Sequence, residues 1–176
     1  MRKTLRDIAQ KLNRDDHPWL LAGKTAAVLQ GALIQAHKIT LYSDQLTAYR
    51  FNTTFEAYRS LKVKYRTESA LAGHAGTFDM HGVEVSIVGD PEIMYQGRHL
   101  FIPLQQLIQD ARVFDLDGVT IPLLPPAWLI LLGIIGGDND LAKSMVASGV
   151  TRDEVMKNAQ MMGIAVNITP MMDAIF

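Results

Sequence analysis

A short apolar run, Trp19-Leu20-Leu21-Ala22, ends in Gly23-Lys24-Thr25 and passes into a segment that is apolar nearly all round. The chain then re-emerges as the alternating Lys38-Ile39-Thr40-Leu41-Tyr42. This stretch constrains the fold more than any other. The first run is short and apolar and reads as a buried strand. From Thr25 to Ala36, residues Ala26, Ala27, Val28, Leu29, Ala32, Leu33 and Ile34 leave no polar face, so the spacing predicts a buried helix. Period-two alternation from Lys38 to Tyr42 predicts a half-buried strand. Strand, glycine, helix and strand in succession put a sheet at the centre with a helix against it.

The remaining patterns extend that sheet. Leu5, Ile8, Ala9 and Leu12 recur at helical spacing and predict an amphipathic helix over roughly 2–13, broken by Asp15-Asp16-His17-Pro18. A polar helix is predicted from about Asp44 to Ser60, and a strand over Leu61–Arg66. Gly73, Gly76 and Gly82 punctuate two further strands, near Thr77–Met80 and Val83–Val88, with Asp79-Met80-His81-Gly82 as a hairpin turn. Leu104–Ala111 reads as a short helix. Phe114 to Pro122 reads as a second hairpin on the sheet edge, where proline is tolerated.

Beyond Pro125 the patterns are helical. Pro126 suits a first helical turn and Gly136-Gly137 a stop. Asp138 can cap a helix through Val146, and Thr151-Arg152-Asp153-Glu154 is a capping box for a helix through Met162. Thr169-Pro170 opens a last short helix. The expected fold is therefore α/β (α+β): a small mixed sheet of about four to six strands, helices on one face, and a C-terminal helical segment. Residues 1–124 read as the core, and 125–176 as a helical segment packed on it in a single unit.

Composition narrows the function classes. A formal net charge of −1 gives no signal for nonspecific nucleic-acid or anionic-membrane binding. The absence of cysteine removes disulfides and thiolate metal sites. The N-terminus lacks a signal-peptide apolar core, and the most apolar run, Trp128–Ile135, falls well short of the ~20 residues that span a bilayer. The expectation is a soluble, cytoplasmic protein.

The unpaired amides at Lys24–Ala27, opening a helix, form an anion-competent end. Residues 38 and 40 share one face of the following strand. Two carboxylates there, with a third on a neighbouring strand, could share two Mg²⁺ ions that activate an attacking oxygen and stabilise a pyrophosphate leaving group.

This frame resembles the nucleotidyltransferase superfamily, and within it the small bacterial and archaeal proteins of toxin–antitoxin or abortive-infection type. The family pattern is apolar-Gly-(Gly/Ser), a helix, then Asp-apolar-(Asp/Glu)-apolar. Leu21-Ala22-Gly23-Lys24 and Lys38-Ile39-Thr40-Leu41 match its frame but not its carboxylates. Gly82 to Val88 is similar to the strand carrying the third carboxylate, which falls at Ser86. Ile121 to Ile130 and Asp138-Asn139-Asp140-Leu141 resemble the segment after the sheet. There Gly133 or a neighbour stands for a lysine and Gly136-Gly137 for a basic pair, while Asp140 remains.

The resemblance implies transfer of a nucleoside monophosphate from a nucleoside triphosphate to a hydroxyl, with the catalytic positions Lys38, Thr40 and Ser86 degenerate. Three functional readings follow. The first is a protein that binds a nucleotide, another anion or a protein partner through Gly23, Lys24 and Thr25 without catalysis, with no metal or other cofactor assigned. The second is an active Mg²⁺-dependent enzyme whose carboxylates come from Asp44, Glu84 and Asp90. The third is an interaction scaffold in a toxin–antitoxin-like pair.

Each residue also has a plainer role. Lys24 reads equally as a solvated turn lysine, Thr25 and Asp44 as helix caps, and Glu84 and Ser86 as ordinary strand residues. His74, Asp79 and His81 lack metal-ligand spacing and read as loop residues.

Overall fold

The computed structural model describes residues 1–68 and 70–176. The N-terminal helix α1 (Arg2–Arg14) buries Leu5, Ile8, Ala9 and Leu12, the stripe that its spacing predicts. Strand β1 (Trp19–Ala22) is buried throughout and leads into α2 (Gly23–Leu29). Strand β2 (Lys38–Ser43) follows, then α3 (Gln45–Thr54), capped by the Asp44 carboxylate accepting from Thr47 N at 2.7 Å. A 3-10 turn (Glu56–Tyr58) precedes three long strands, β3 (Arg59–Glu68), β4 (Leu71–Met80) and β5 (Val83–Tyr95). Then come β6 (Arg98–Phe101), α4 (Leu104–Gln109), β7 (Arg112–Leu116) and β8 (Val119–Leu123). Helices α5 (Pro126–Gly136), α6 (Asn139–Val146), α7 (Arg152–Met161) and α8 (Ala165–Met172) complete the chain.

The strands join in one sheet of order β3-β4-β5-β2-β1-β8-β7, with β6 pairing β5. Strands β2 and β5 run parallel, as do β1 and β8, while the other neighbours are antiparallel. The hairpin at His81-Gly82 and the edge hairpin at Asp117-Gly118 form as the sequence predicts. In both, the two turn residues take positive φ, which matches the twist of the flanking strands. The expected Thr151–Glu154 capping box is also present.

Several boundaries differ from the sequence reading. The sheet has eight strands where about four to six were expected; the strand that has no counterpart in the sequence reading is β6, formed where β5 runs on to Tyr95 and turns at Gln96-Gly97. Strand β4 starts at Leu71, so Gly73 and Gly76 lie inside it. Gly76 faces a β3 irregularity, where a Cβ would stand 2.6 Å from Val63 Cγ2 and 3.0 Å from the Leu61 carbonyl oxygen. The glycine is therefore a site of close backbone approach and not a strand end.

Helix α2 stops at Leu29, not Ala36, because Gly31 adopts φ +95 and turns the chain out. Helix α3 stops at Thr54, short of the expected Ser60. Helix α8 begins at Ala165, ahead of Thr169-Pro170, and the Thr169 hydroxyl donates to the Ala165 carbonyl at 2.8 Å.

Helices cover both faces of the sheet, not one. On the first face α3 sets Phe51 edge-on against Phe78 of β4, ring centroids 4.9 Å apart. Ile39, Leu41, Val85 and Ile87 lie fully buried in the core. The opposite face carries Thr40, Tyr42 and Ser86, and α5 lies over part of it. One hydrophobic cluster links α1, the sheet and α5–α8.

Substituting Gly76→Ala is expected to destabilise the protein by about 1–3 kcal/mol through overpacking. Gly136→Ala, whose added Cβ meets nothing within 4 Å, is expected to be neutral or stabilising by up to ~1 kcal/mol. Urea unfolding midpoints at unchanged slope read both. Equal midpoints for the two variants would contradict the close-approach account.

Candidate functional site

The site is built from the register between β2 and β5. Lys38 pairs with Glu84 and Thr40 with Ser86, so two positions from each strand stand side by side on one face. Antiparallel β1 sets Ala22 beside Thr40, and the turn at Gly23 follows immediately. Gly23 has φ +64, a conformation that glycine adopts without steric cost. A Cβ there would lie 3.5 Å from Thr40 Oγ1, so the turn passes directly over the Thr40 side chain.

Above this floor lies a cleft of about 1010 Å³ between the sheet and α6. Its lining includes Gly23, Lys24, Lys38 and Thr40 from the sheet side, and Asp138, Asp140 and Lys143 from α6 and its cap. Leu33, Ile34 and His37, from the segment that leaves α2 early, form a third wall. Leu33 is 97% exposed there.

Lys24, Lys38 and Thr40 thus meet in one cleft, and Ser86 sits beside Thr40 in the register. Thr25 does not line the cleft. It is buried, and its hydroxyl donates to the Lys38 carbonyl oxygen at 2.5 Å, which ties the start of α2 to the start of β2.

Both lysines have carboxylate partners. Lys24 Nζ is 3.0 Å from Asp138 Oδ2, while Asp138 Oδ1 accepts from Leu141 N at 3.2 Å as the cap of α6. Lys38 Nζ stands 3.8 Å from Glu84 Oε1, with both side chains more than half exposed. Such solvated pairs contribute little stability, on the order of 0–1 kcal/mol, and yield readily to a competing charge. Lys143 has no ion-pair partner among the described residues.

The family frame implies a pair of Mg²⁺ ions over positions 38, 40 and 86, and the donors here do not fit them. An ammonium offers no lone pair, and two neutral hydroxyls are weak ligands. Among the described residues no group of three histidine, aspartate or glutamate side chains is placed to hold a metal.

Asp44, Glu84 and Asp90 do not converge either. Asp44 and Asp90 both cap the start of α3, with Asp90 Oδ1 accepting from Gln45 N at 3.2 Å. Glu84 lies near the start of β5, six residues before Asp90 and roughly 20 Å away at ~3.3 Å per strand residue. Two ions ~4 Å apart cannot be shared over that span.

His74, Asp79 and His81 also separate. His74 lies between Tyr49 and Tyr65, Asp79 accepts from Gly82 N at 2.9 Å, and the His81 ring meets that of Tyr58 at a tilt, centroids 5.6 Å apart.

The sequence reading did not single out Lys143, His37 or Tyr42. Asp140, Lys143, Ser144 and Ala147 do carry a helical-face spacing that marks a wall of the cleft. Tyr42 continues the Lys38–Thr40 alternation by one step, onto the same face. It lines a second recess of about 330 Å³ that opens beside the cleft. Burial pushes its hydroxyl pKa up from the usual 10 to about 12.

No protein-family model matches the sequence, and no curated protein matches it. Solved structures do match. A candidate nucleotidyltransferase of Thermotoga maritima is 23% identical, covering 82% of this chain and 89% of its own, with a TM-score of 0.70. The lincosamide antibiotic adenylyltransferase LnuA, bound to lincomycin, is 13% identical over 84% of this chain and 98% of its own, TM-score 0.58. The antibiotic-resistance factor ANT(2'')-Ia is 8% identical over 98% of this chain and 93% of its own, TM-score 0.60. At these identities the likeness is one of fold.

The raised Tyr42 pKa gives an alkaline dependence with a fixed sign. The unfolded chain loses the phenol proton near pH 10 while the folded protein holds it to about pH 12. Stability from this group is therefore full below pH 10 and is lost as pH rises towards 12. Denaturant titrations at pH 9, 10 and 11 are expected to show that loss, shallower in Tyr42→Phe. An identical alkaline slope in the variant would contradict it.

Proposed function

We propose that this nucleotidyltransferase-fold chain binds a phosphate-bearing ligand, a nucleotide foremost, in the cleft of Lys24, Lys38 and Lys143 and does not carry out Mg²⁺-dependent transfer. The observation that carries the reading is the side-by-side register of Lys38–Glu84 and Thr40–Ser86, of which Lys38 and Thr40 line the cleft. That floor has an ammonium and hydroxyls where two metal ions would need carboxylates. A polyphosphate needs its charge offset on binding, and fixed ammonium groups provide this without divalent ions.

Three lysines and His37 face two carboxylates, Asp138 and Asp140, in the cleft, and Glu84 pairs with Lys38 from outside its lining, so the site without ligand is close to neutral. A phosphate entering it competes with Asp138 for Lys24 and with Glu84 for Lys38. Both pairs are solvent-exposed and cost little to break. Gly23, with no side chain, leaves the chain open beside Thr40, where a phosphate can approach backbone. Thr25 supports the site from below through its bond to the Lys38 carbonyl. The likeness in fold to an adenylyltransferase agrees with a nucleotide as the ligand.

The test is titration calorimetry with ATP and GTP, in EDTA and in Mg²⁺. Binding is expected in EDTA, weakened about tenfold or more by Lys38→Glu, since a hydrogen bond to a charged group contributes ~1.5–3 kcal/mol. Asp138→Asn keeps an asparagine cap for α6 and frees Lys24, so tighter binding is expected. Incubation with labelled triphosphates and Mg²⁺ or Mn²⁺ completes the experiment. Label transfer that is lost in Glu84→Gln would overturn the non-catalytic reading.

A further inference from the structure

Tyr42 is only 6% exposed, yet its hydroxyl makes no hydrogen bond to any described residue. It lines the recess beside the cleft, about 330 Å³ in volume, whose walls are otherwise mostly apolar. Leu71 and Ile93 come from the sheet, and Leu129 and Leu132 from α5. The hydroxyl is not among the buried side-chain atoms left without a partner; it opens onto the recess, where it is free to donate to an acceptor that enters. The volume lies at the lower end of the range for small-molecule pockets, which are apolar with a few placed polar groups. Glu68 lies on the rim with no ion-pair partner among the described residues, and its charge disfavours anions.

We propose that this recess between β2 and α5 is a small-molecule subsite for an apolar ligand of one or two rings, neutral or cationic, with a hydrogen-bond acceptor that meets the Tyr42 hydroxyl. It shares Gly23, Lys38, Thr40, Asp138 and Leu141 with the larger cleft, so occupants of the two spaces lie within contact of each other. The inference does not rest on nucleotide binding in the cleft: the Tyr42 hydroxyl and the apolar walls define the subsite alone.

Three one-ring probes test it on the full chain: acetophenone, ethylbenzene and benzoate. Acetophenone carries the acceptor, ethylbenzene has the same shape without it, and benzoate is the anion. Titration followed by methyl chemical shifts of the leucines and isoleucines reads both site and affinity. Acetophenone is expected to shift the recess methyls and to bind about fivefold or more tighter than ethylbenzene, with benzoate weakest. Tyr42→Phe is expected to fold, to keep ethylbenzene binding and to erase the acetophenone preference. Leu132→Trp, at a partly buried position, is expected to fill the space and abolish binding of all three.

Equal affinities in the native protein, or a preference that survives Tyr42→Phe, would overturn the subsite. So would an absence of recess shifts up to the solubility limit, which would leave the hydroxyl to water alone. Loss of calorimetric nucleotide binding with the acetophenone shifts intact would sink only the nucleotide reading.

Discussion

The parallel pairing of β2 with β5 is the interaction on which the rest of the molecule depends. Six residue pairs run from Lys38↔Glu84 to Ser43↔Gly89 without a break. The register is held from the other face of the sheet, where Ile39, Leu41, Val85 and Ile87 are all fully buried. A slip by one residue in either strand would turn that apolar set outward and bring lysine and glutamate into the core. Core packing thus decides which side chains become neighbours on the cleft floor. Thr40 meets Ser86, and Lys38 meets Glu84, as a consequence of hydrophobic burial elsewhere.

The sequence was most legible where one physical rule acts alone. A short apolar run located β1, periodicity located β2 and α1, and glycines with positive φ marked both predicted hairpins. The capping box at Thr151–Glu154 stood as read, because it is a local contact within four residues. Reading failed where two rules compete. From Ala26 to Ile34 an apolar helical pattern runs across Gly31, and the backbone freedom of that glycine wins, so the helix ends and the rest of the segment becomes a cleft wall. Gly73 and Gly76 read as punctuation, but they answer to close approach by β3 and β5, a long-range fact that no local window contains. The frame of Lys38, Thr40 and Ser86 was visible from strand alternation. The pairing of Lys24 with Asp138 was not, since 114 residues separate them in the chain.

That early end of α2 shapes the site as much as the strand register does. A full-length helix through Ala36 would have carried Leu33 and Ile34 on a continuous buried surface. Instead the chain leaves the helix at Gly31, and residues 33–37 line the cleft opposite α6. Leu33 then stands almost wholly in solvent, an apolar side chain at the rim of a charged space. Single exposed leucines are common, but this one borders the cations, so a ligand that reaches Lys24 and Lys38 passes over it. The cleft therefore offers charge at its floor and apolar surface at its mouth.

A site built for two divalent ions carries carboxylates to hold them, and the ions and carboxylates together leave a modest positive charge for a polyphosphate. Lys38 supplies positive charge at the same place in one residue, with no ion to recruit. On the proposed reading the substitution keeps the electrostatic part of binding and removes the chemical part, because an ammonium cannot lower the pKa of an attacking hydroxyl by coordinating it. Glu84 and Asp138 set how available that charge is. Lys24 lies within direct salt-bridge reach of Asp138 at 3.0 Å, while Lys38 and Glu84 are 3.8 Å apart and more exposed. Lys38 is consequently the easier cation for the proposed phosphate to win. Lys24 follows only when the ligand outcompetes the aspartate that also caps α6. On the proposed reading, ligand binding in this cleft is thereby coupled to the start of α6, through a single carboxylate that both caps the helix and holds the lysine.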